Sequence, residues 1–189
     1  MRMKKAISVA CCILLCGLIS LSFFYKKHNQ DTASKVKELM NRQLNLSNMN
    51  FTILGKDTVL FDIDSCQYKV FTYIRQSECI SCNLRLNEWK EYIKEIKRYY
   101  PNVGFVFYYP IKSKKNIIYF LESENFNYPV CIDPENHLKI LETFPHDIRF
   151  QTFLLDKDNK IIAIGNPIIN SSINDLFVSI IKSDLNKNR

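Results

Sequence analysis

The sequence predicts an α/β domain, a mixed sheet flanked by helices, set behind an apolar N-terminal segment. Three patterns carry that reading. Residues 70–74 (VFTYI) and 103–108 (VGFVFY) are continuous apolar runs of strand length, as expected for strands buried on both faces. Between them, residues 82, 86, 89, 93, 96 and 100 are Cys, Leu, Trp, Ile, Ile and Tyr. That 4-3-4-3-4 spacing lines one face of a helix. Two strands joined through a helix run parallel with a right-handed crossover. Lastly, residues 6–25 form a 20-residue run without a charged side chain.

About 20 apolar residues span a bilayer. Lys4 and Lys5 precede the run, which keeps its start in the cytoplasm and exports the rest of the chain. Three forms of the segment stay open. It is a retained signal anchor, a signal peptide cleaved near Ser20 and Ser22, or a lipoprotein signal. The last fits least, because Leu15 before Cys16 is not the small residue that processing wants, and the stretch ahead of Cys11 is short. Each form puts the domain outside the cytoplasm.

The chain has 189 residues with 47% hydrophobic and 24% charged side chains, ordinary values for a globular protein. The net charge of +7 suggests a nucleic-acid binder only until it is located. Arg2, Lys4, Lys5, Lys26 and Lys27 flank the apolar run. Setting them aside leaves 21 basic against 19 acidic residues. A nucleic-acid partner needs a basic patch on the folded domain, and the sequence has none concentrated there.

Along the chain, residues 1–27 are the signal segment. Residues 28–50 are a polar linker and a short helix, with apolar positions at 36, 39, 40 and 44. The main domain covers 51–185 and a tail 186–189. Residues 51–54 and 59–63 are strand candidates around Gly55-Lys56-Asp57. The helix that begins near Cys82, with Ser77 as its N-cap, ends at Pro101-Asn102. Residues 116–123 read as a helix, 130–132 as a short strand, and Asp133-Pro134 as a turn. A helix is expected over 135–143 with His137 on its surface. Residues 151–155 and 161–164 flank Asp156-Lys157-Asp158-Asn159 as a hairpin. Residues 173–185 close the domain as a helix.

Four cysteines lie beyond the apolar run: Cys66, Cys79, Cys82 and Cys131. Cys79-Ile80-Ser81-Cys82 is a C-x-x-C pair between a strand and a helix, the context of a redox motif. Unpaired N–H groups at a helix start stabilise a thiolate, and the thiolate is the attacking species in disulfide exchange. Cys79 is therefore the candidate nucleophile and Cys82 the resolving thiol. A structural disulfide and a metal site remain as alternatives. Zinc would need further ligands such as Cys66 and Cys131, and neither has a second C-x-x-C around it. Cys131 reads as a buried thiol, with pairing to Cys66 as the other option. Trp89 reads as core. His146 is a candidate for proton transfer or a plain loop histidine, and Glu78 for a proton shuttle or a solvated cap.

These residues resemble the thioredoxin superfamily, most closely the membrane-tethered thiol-disulfide oxidoreductases of the TlpA and ResA type. The resemblance covers roughly 51–185. VFTYI with C-I-S-C and its helix, YPVCIDPENH at 128–137, and TFLLDKDNKIIAIG at 152–165 carry it. It implies an extracytoplasmic enzyme of the cell envelope, anchored in the inner membrane facing the periplasm or released there if the signal is cleaved, that passes electrons between dithiols and disulfides without a cofactor or a metal. Its partner is then a protein dithiol or disulfide, or a membrane electron donor. The substrate groove implied comprises Glu78, Ile80, Ser81, Arg149 and Phe150.

Two positions depart from the family. Glu78 stands where an aromatic residue usually precedes the first cysteine, and a carboxylate there raises the thiol's pKa. Phe150 stands at the family's cis-proline, with Pro145 five residues earlier. A cis bond ahead of a non-proline residue costs about 2.5–4 kcal/mol, so a trans peptide and an altered groove are expected. A peroxidase would need an activating Pro/Thr loop, which Arg75-Gln76-Ser77-Glu78 does not supply. The alternative to an enzyme is a binding module of the same fold whose cysteine pair is a structural brace.

Overall fold

The computed structural model describes residues 2–47, 49–57, 63–74, 84–111, 113–138, 143–144 and 147–187, with side chains from Leu14 to Ser183. The chain divides into two compact units, Met1–Glu38 and Leu39–Arg189.

The first unit is the body of one helix, α1 (Arg2–Leu39). Leu14, Leu15, Leu18, Ile19, Leu21, Phe23, Phe24 and Tyr25 are all exposed on it. Ser20 and Ser22 return their hydroxyls to the carbonyls of Gly17 and Ile19, both at 2.8 Å. Among the described residues no helix is long and apolar enough to cross a membrane. The side chains of 6–13, the first part of the expected segment, lie outside them.

The second unit is built on a seven-stranded sheet. Its strands are β1 (Phe51–Ile53), β2 (Lys56–Asp57), β3 (Tyr68–Tyr73), β4 (Val103–Tyr109), β5 (Val130–Ile132), β6 (Thr152–Leu155) and β7 (Ile161–Ile164). The spatial order is β2-β1-β5-β4-β3-β6-β7. β3, β4 and β5 run parallel, and the other pairings are antiparallel. The mixed sheet expected from the sequence is present. The candidate strand at 59–63 falls on 58–62, outside the described residues, except for the buried Ile63.

Helices α2 (Leu86–Tyr99), α3 (Lys114–Ser123) and α4 (Ser171–Lys187) connect and extend these strands. Trp89, Ile93 and Ile96 of α2, Ile117 and Leu121 of α3, and Phe177 and Ile181 of α4 share one core with Val70, Phe105, Phe107 and Leu154. The opposite sheet face, with Phe71, Tyr73, Val106, Tyr108 and Phe153, packs against Leu39, Leu44, Leu46, Leu138 and Phe144. Alternation along each strand sends successive side chains to opposite cores. Burying each large apolar side chain contributes about 1.5–3 kcal/mol.

Three expected elements take a different form. The helix expected from Cys82 to Tyr100 does not run unbroken, because Arg85 is left-handed (φ 44°, ψ 41°) and α2 begins after it. Leu84 and Leu86 are both buried, yet residues two apart on a helix point in very different directions. The break lets both face the core. The short helix expected within 28–50 is instead the end of α1 at Leu39 followed by an extended stretch. Asn41 N–H donates to the Ile161 carbonyl and Leu44 N–H to that of Asn159, both at 2.9 Å. This stretch covers the free edge of β7. The helix expected over 135–143 is a turn through 134–138, with Asn136 at φ 51°, and 139–142 lie outside the described residues.

Two details show how tightly the sheet is closed. Lys69 on β3 is fully buried, and its ammonium donates to the carbonyls of Lys157 (2.8 Å) and Asp156 (3.4 Å) at the β6–β7 turn. Burial lowers its pKa, partly offset by Asp64, Cys66, Asp156 and Asp158. Gly104 on β4 leaves room for Cys66, since a methyl group there would lie 2.8 Å from the Cys66 Sγ. Gly104→Ala is expected to destabilise the domain by about 1–3 kcal/mol through overpacking. Urea denaturation checks this, and the loss should shrink in a Cys66→Ala background.

Candidate functional site

The parallel strands β3, β4 and β5 end at one edge of the sheet. β3 is an interior strand there, between β4 and β6. Its last residue, Tyr73, donates its N–H to the Gln151 carbonyl (2.8 Å), and Ile74 donates to the Tyr108 carbonyl (3.0 Å). The start of the next connection is thus pinned between β4 and the segment leading into β6. That connection, 75–83, carries Cys79 and Cys82 with Glu78, Ile80 and Ser81, and Ser77 as the expected cap. All of it lies outside the described residues. The chain is described again at the buried Leu84, ahead of the left-handed Arg85, whose guanidinium pairs with Glu88.

Arg149 and Phe150 belong to a 3-10 turn, Ile148–Phe150, immediately before β6. Asp147 caps the turn, accepting from the Arg149 N–H (2.9 Å) and its Nε (2.8 Å). The Arg149 guanidinium lies 5.8 Å from the centroid of the half-buried Phe150 ring. The peptide bond ahead of Phe150 is trans, as are all those described. Buried Asn166, just past β7, donates its N–H to the Arg149 carbonyl (2.9 Å). The turn is therefore held to the same sheet edge that β3 reaches. Pro145 and His146 lie outside the described residues.

A polar cluster that the sequence reading missed sits at this edge, beyond β5. Tyr108 donates its hydroxyl to the Asp133 carboxylate at 2.5 Å. The same carboxylate accepts the N–H groups of Glu135 (3.2 Å) and His137 (2.7 Å), and pairs with the His137 Nδ1 (2.9 Å). Asp133 is 9% exposed, whereas the His137 side chain is 70% exposed and also meets Glu135. His137 is on a turn and not on the expected helix, because the carboxylate binds N–H groups that a helix would otherwise use. Burial alone would raise the pKa of Asp133, but the Tyr108 hydroxyl and the His137 N–H and ring outweigh it and hold the carboxyl below its ordinary value. Burial, reinforced by the bond to Asp133, pushes the Tyr108 hydroxyl up. The sequence signal was an Asp opening a turn two strand positions from a buried tyrosine, legible only once β4 and β5 are known to pair.

Cys131 is a buried free thiol, pushed up to about 12 by burial and by the Asp133 charge. The option of a Cys66–Cys131 disulfide is not realised. Cys66 lies against Gly104, whereas Cys131 pairs with Tyr108. Four strand residues separate those points, about 13 Å, and disulfides need Cα atoms within about 7 Å. The same separation prevents these two cysteines from sharing one zinc ion.

No protein-family model matches the chain, and no curated protein matches it. Solved structures do. A candidate thiol-disulfide oxidoreductase from Bacteroides vulgatus superposes with a TM-score of 0.56 at 16% identity, over 76% of this chain and 93% of the other. A candidate thiol:disulfide interchange protein DsbE from Chlorobium tepidum gives 0.55 at 12% identity, over 75% and 99%. A variant of peroxiredoxin Q from Xanthomonas campestris gives 0.52 at 10% identity, over 73% and 94%. The chain has the thioredoxin-like fold shared by these proteins.

The Asp133 cluster makes a prediction about acid stability. A carboxyl with a depressed folded-state pKa stabilises the protein above its unfolded value, and that contribution is lost as pH falls from there through the folded value. The denaturation midpoint should therefore drop as pH falls below about 4. Asp133→Asn should lower stability by about 1–3 kcal/mol at neutral pH and flatten the acid limb. Urea titrations across a pH series check both.

Proposed function

We propose that this protein is an extracytoplasmic thiol-disulfide oxidoreductase, resembling the TlpA and ResA type, that exchanges disulfides through Cys79 and Cys82. The observation that carries the reading is topological. The C-I-S-C segment belongs to the connection between the interior strand β3 and helix α2, on a thioredoxin-like fold. The solved relatives include thiol-disulfide oxidoreductases and peroxiredoxins alike, and the choice of the first chemistry rests on Arg75-Gln76-Ser77-Glu78, which lacks the activating Pro/Thr loop of a peroxidase.

In the reductive direction, the Cys79 thiolate attacks one sulfur of a substrate disulfide and expels the other as a thiolate, which takes up a proton. The product is a mixed disulfide. Cys82, deprotonated, then attacks the Cys79 sulfur and releases the second substrate thiol. Two electrons pass to the substrate, and Cys79 and Cys82 end joined. Every bond made or broken lies between sulfurs, so the cycle asks for no cofactor. A protein dithiol or a membrane electron donor restores the pair. Arg149 and Phe150, on the turn ahead of β6, and Glu78, Ile80 and Ser81, next to the cysteines in sequence, are the proposed substrate contacts.

Residues 6–25 hold the domain at the membrane, with Lys4 and Lys5 on the cytoplasmic side and the domain facing the periplasm. The apolar side chains exposed all round α1 and the internally bonded Ser20 and Ser22 support retention in lipid, where backbone and hydroxyl groups must be satisfied within the helix.

The test uses the full chain in detergent micelles, equilibrated in dithiol/disulfide buffers, with Cys79 and Cys82 followed by thiol alkylation. Reversible two-electron cycling of the folded protein is expected. Cys79→Ser should abolish exchange, and Cys82→Ser should accumulate a mixed disulfide with substrate. A pair that stays oxidised until the domain unfolds is a structural brace, and the binding-module alternative then holds.

A further inference from the structure

Helix α2 sorts its surface charges in a way that works against its own stability. Glu88, Glu91 and Glu95 lie along one flank, three and four residues apart, and Lys90, Lys94 and Lys97 lie along the other. Glu91 and Glu95 are like charges at i,i+4, a spacing at which opposite charges would support a helix and like charges destabilise it. The cations nearby do not relieve them. Lys90 reaches the Glu124 carbonyl (2.6 Å), Arg98 lies over the Tyr99 ring (5.6 Å), and Arg85 is taken by Glu88. Among the described residues Glu91 and Glu95 have no ion pair.

The acidic flank is one wall of a groove of about 450 Å³, lined by Asn87, Glu88, Glu91, Tyr92, Glu95 and Ile168. Ile168, beyond β7, is the apolar wall. Buried Asn166 fixes it by accepting its N–H on the side-chain carbonyl (3.1 Å). Tyr92 lies between the acidic flank and the core. It is only 8% exposed, and its ring packs edge-on against Trp89 and Phe105. Yet its hydroxyl has no hydrogen-bond partner among the described residues, and it is not sealed in the core as the Tyr109 hydroxyl is. It opens into the groove, beside Glu95. Burial and the Glu95 charge push the phenol up and keep it protonated. A hydroxyl taken this far from water without a partner is costly, and the groove is where a partner can reach it.

We propose that this groove is the docking site for a segment of a partner protein, and that it takes an arginine of that segment set next to an apolar residue. The match runs group by group. The Glu91 and Glu95 carboxylates accept from the guanidinium, whose planar fork serves two acceptors at once. The Tyr92 oxygen accepts a further N–H. The aliphatic stem lies along Ile168, as such stems do on apolar surface. The groove is open to solvent, which suits a chain segment and not an enclosed small molecule. Opposite charge across such a surface sets encounter rate and orientation more than affinity, so the site selects among partners and binds weakly alone. Docking here is separate from the redox reading, since it uses none of the cysteines.

The probe is an acetylated, amidated peptide, Arg-Leu-Gly-Arg-Leu-Gly, titrated into the full chain in non-ionic detergent micelles. Trp89, the one tryptophan of the chain and in edge contact with Tyr92, reports binding through its emission. A saturable change that weakens with added salt is expected. Glu91→Gln together with Glu95→Gln, both at exposed positions, should weaken binding about tenfold. Tyr92→Phe keeps the packed ring and should weaken it about threefold. Lys94→Gln, on the other flank, should not weaken it. The proposal is overturned if the peptide gives no saturable change, if the double glutamine variant binds it as well as the wild type, or if a peptide with glutamate in place of arginine binds equally. Spermine binding as tightly as the peptide also overturns it, because the groove is then a general cation site with no use for its apolar wall. None of these outcomes touches disulfide exchange, which is scored separately on the cysteine pair.

Discussion

Strand β3 is bonded to β4 on one side and to β6 on the other, and both its faces are closed to water. A strand so enclosed has no freedom of register. A slip by one residue would exchange the side chains of the two cores, moving Val70 and Phe71 each into space shaped for the other. Because β3 is fixed, so is the point at which the chain leaves it. The parallel neighbours end at the same edge, and the antiparallel β6 begins there. The end of β3, from which the connection carrying the candidate cysteines departs, the Phe150 turn and the Asp133 cluster are thus brought to one edge by pairing alone, although they come from three distant parts of the sequence.

The two ends of the sheet handle buried charge differently. At the start of β3, Lys69 finds two backbone carbonyls and a surrounding set of acidic side chains. At the end of β4 and β5, Asp133 finds only neutral donors and an imidazole. The first arrangement neutralises a charge that β3 cannot avoid burying. The second sets the carboxylate against the His137 ring and the donors of its own turn.

Most of the sheet was legible because its strands are apolar throughout or alternate cleanly. VFTYI, VGFVFY, VCI and the 151–164 hairpin each signal their state over their own length. The illegible parts depended on partners far along the chain. The spacing from Cys82 to Tyr100 is perfectly helical, and nothing local shows that Leu84 must also be buried and that Arg85 must break the helix. The apolar positions at 36, 39, 40 and 44 suit a helix equally well, but the open edge of β7 draws 41–44 into an extended strap. The 135–138 stretch has ordinary helix formers, yet the Asp133 carboxylate takes the N–H groups that a helix would need. The candidate site was read from C-I-S-C by its spacing, whereas Tyr108 and Asp133 are 25 residues apart and meet only across a parallel strand pair.

Among the described residues, the charges around this edge are paired locally: Arg85 with Glu88, Arg149 with Asp147, and Asp133 with the His137 ring. In the sequence, Glu78 adds a carboxylate beside Cys79. The helix after the pair is interrupted at Arg85, so the dipole of α2 begins at Leu86 and falls off within a turn. An oxidising centre of this kind needs its thiolate stabilised by positive charge or helix dipole. Among the described residues around the end of β3, Arg85 and Arg149 are paired and α2 begins only at Leu86, which accords with the reductive direction proposed for Cys79 and Cys82.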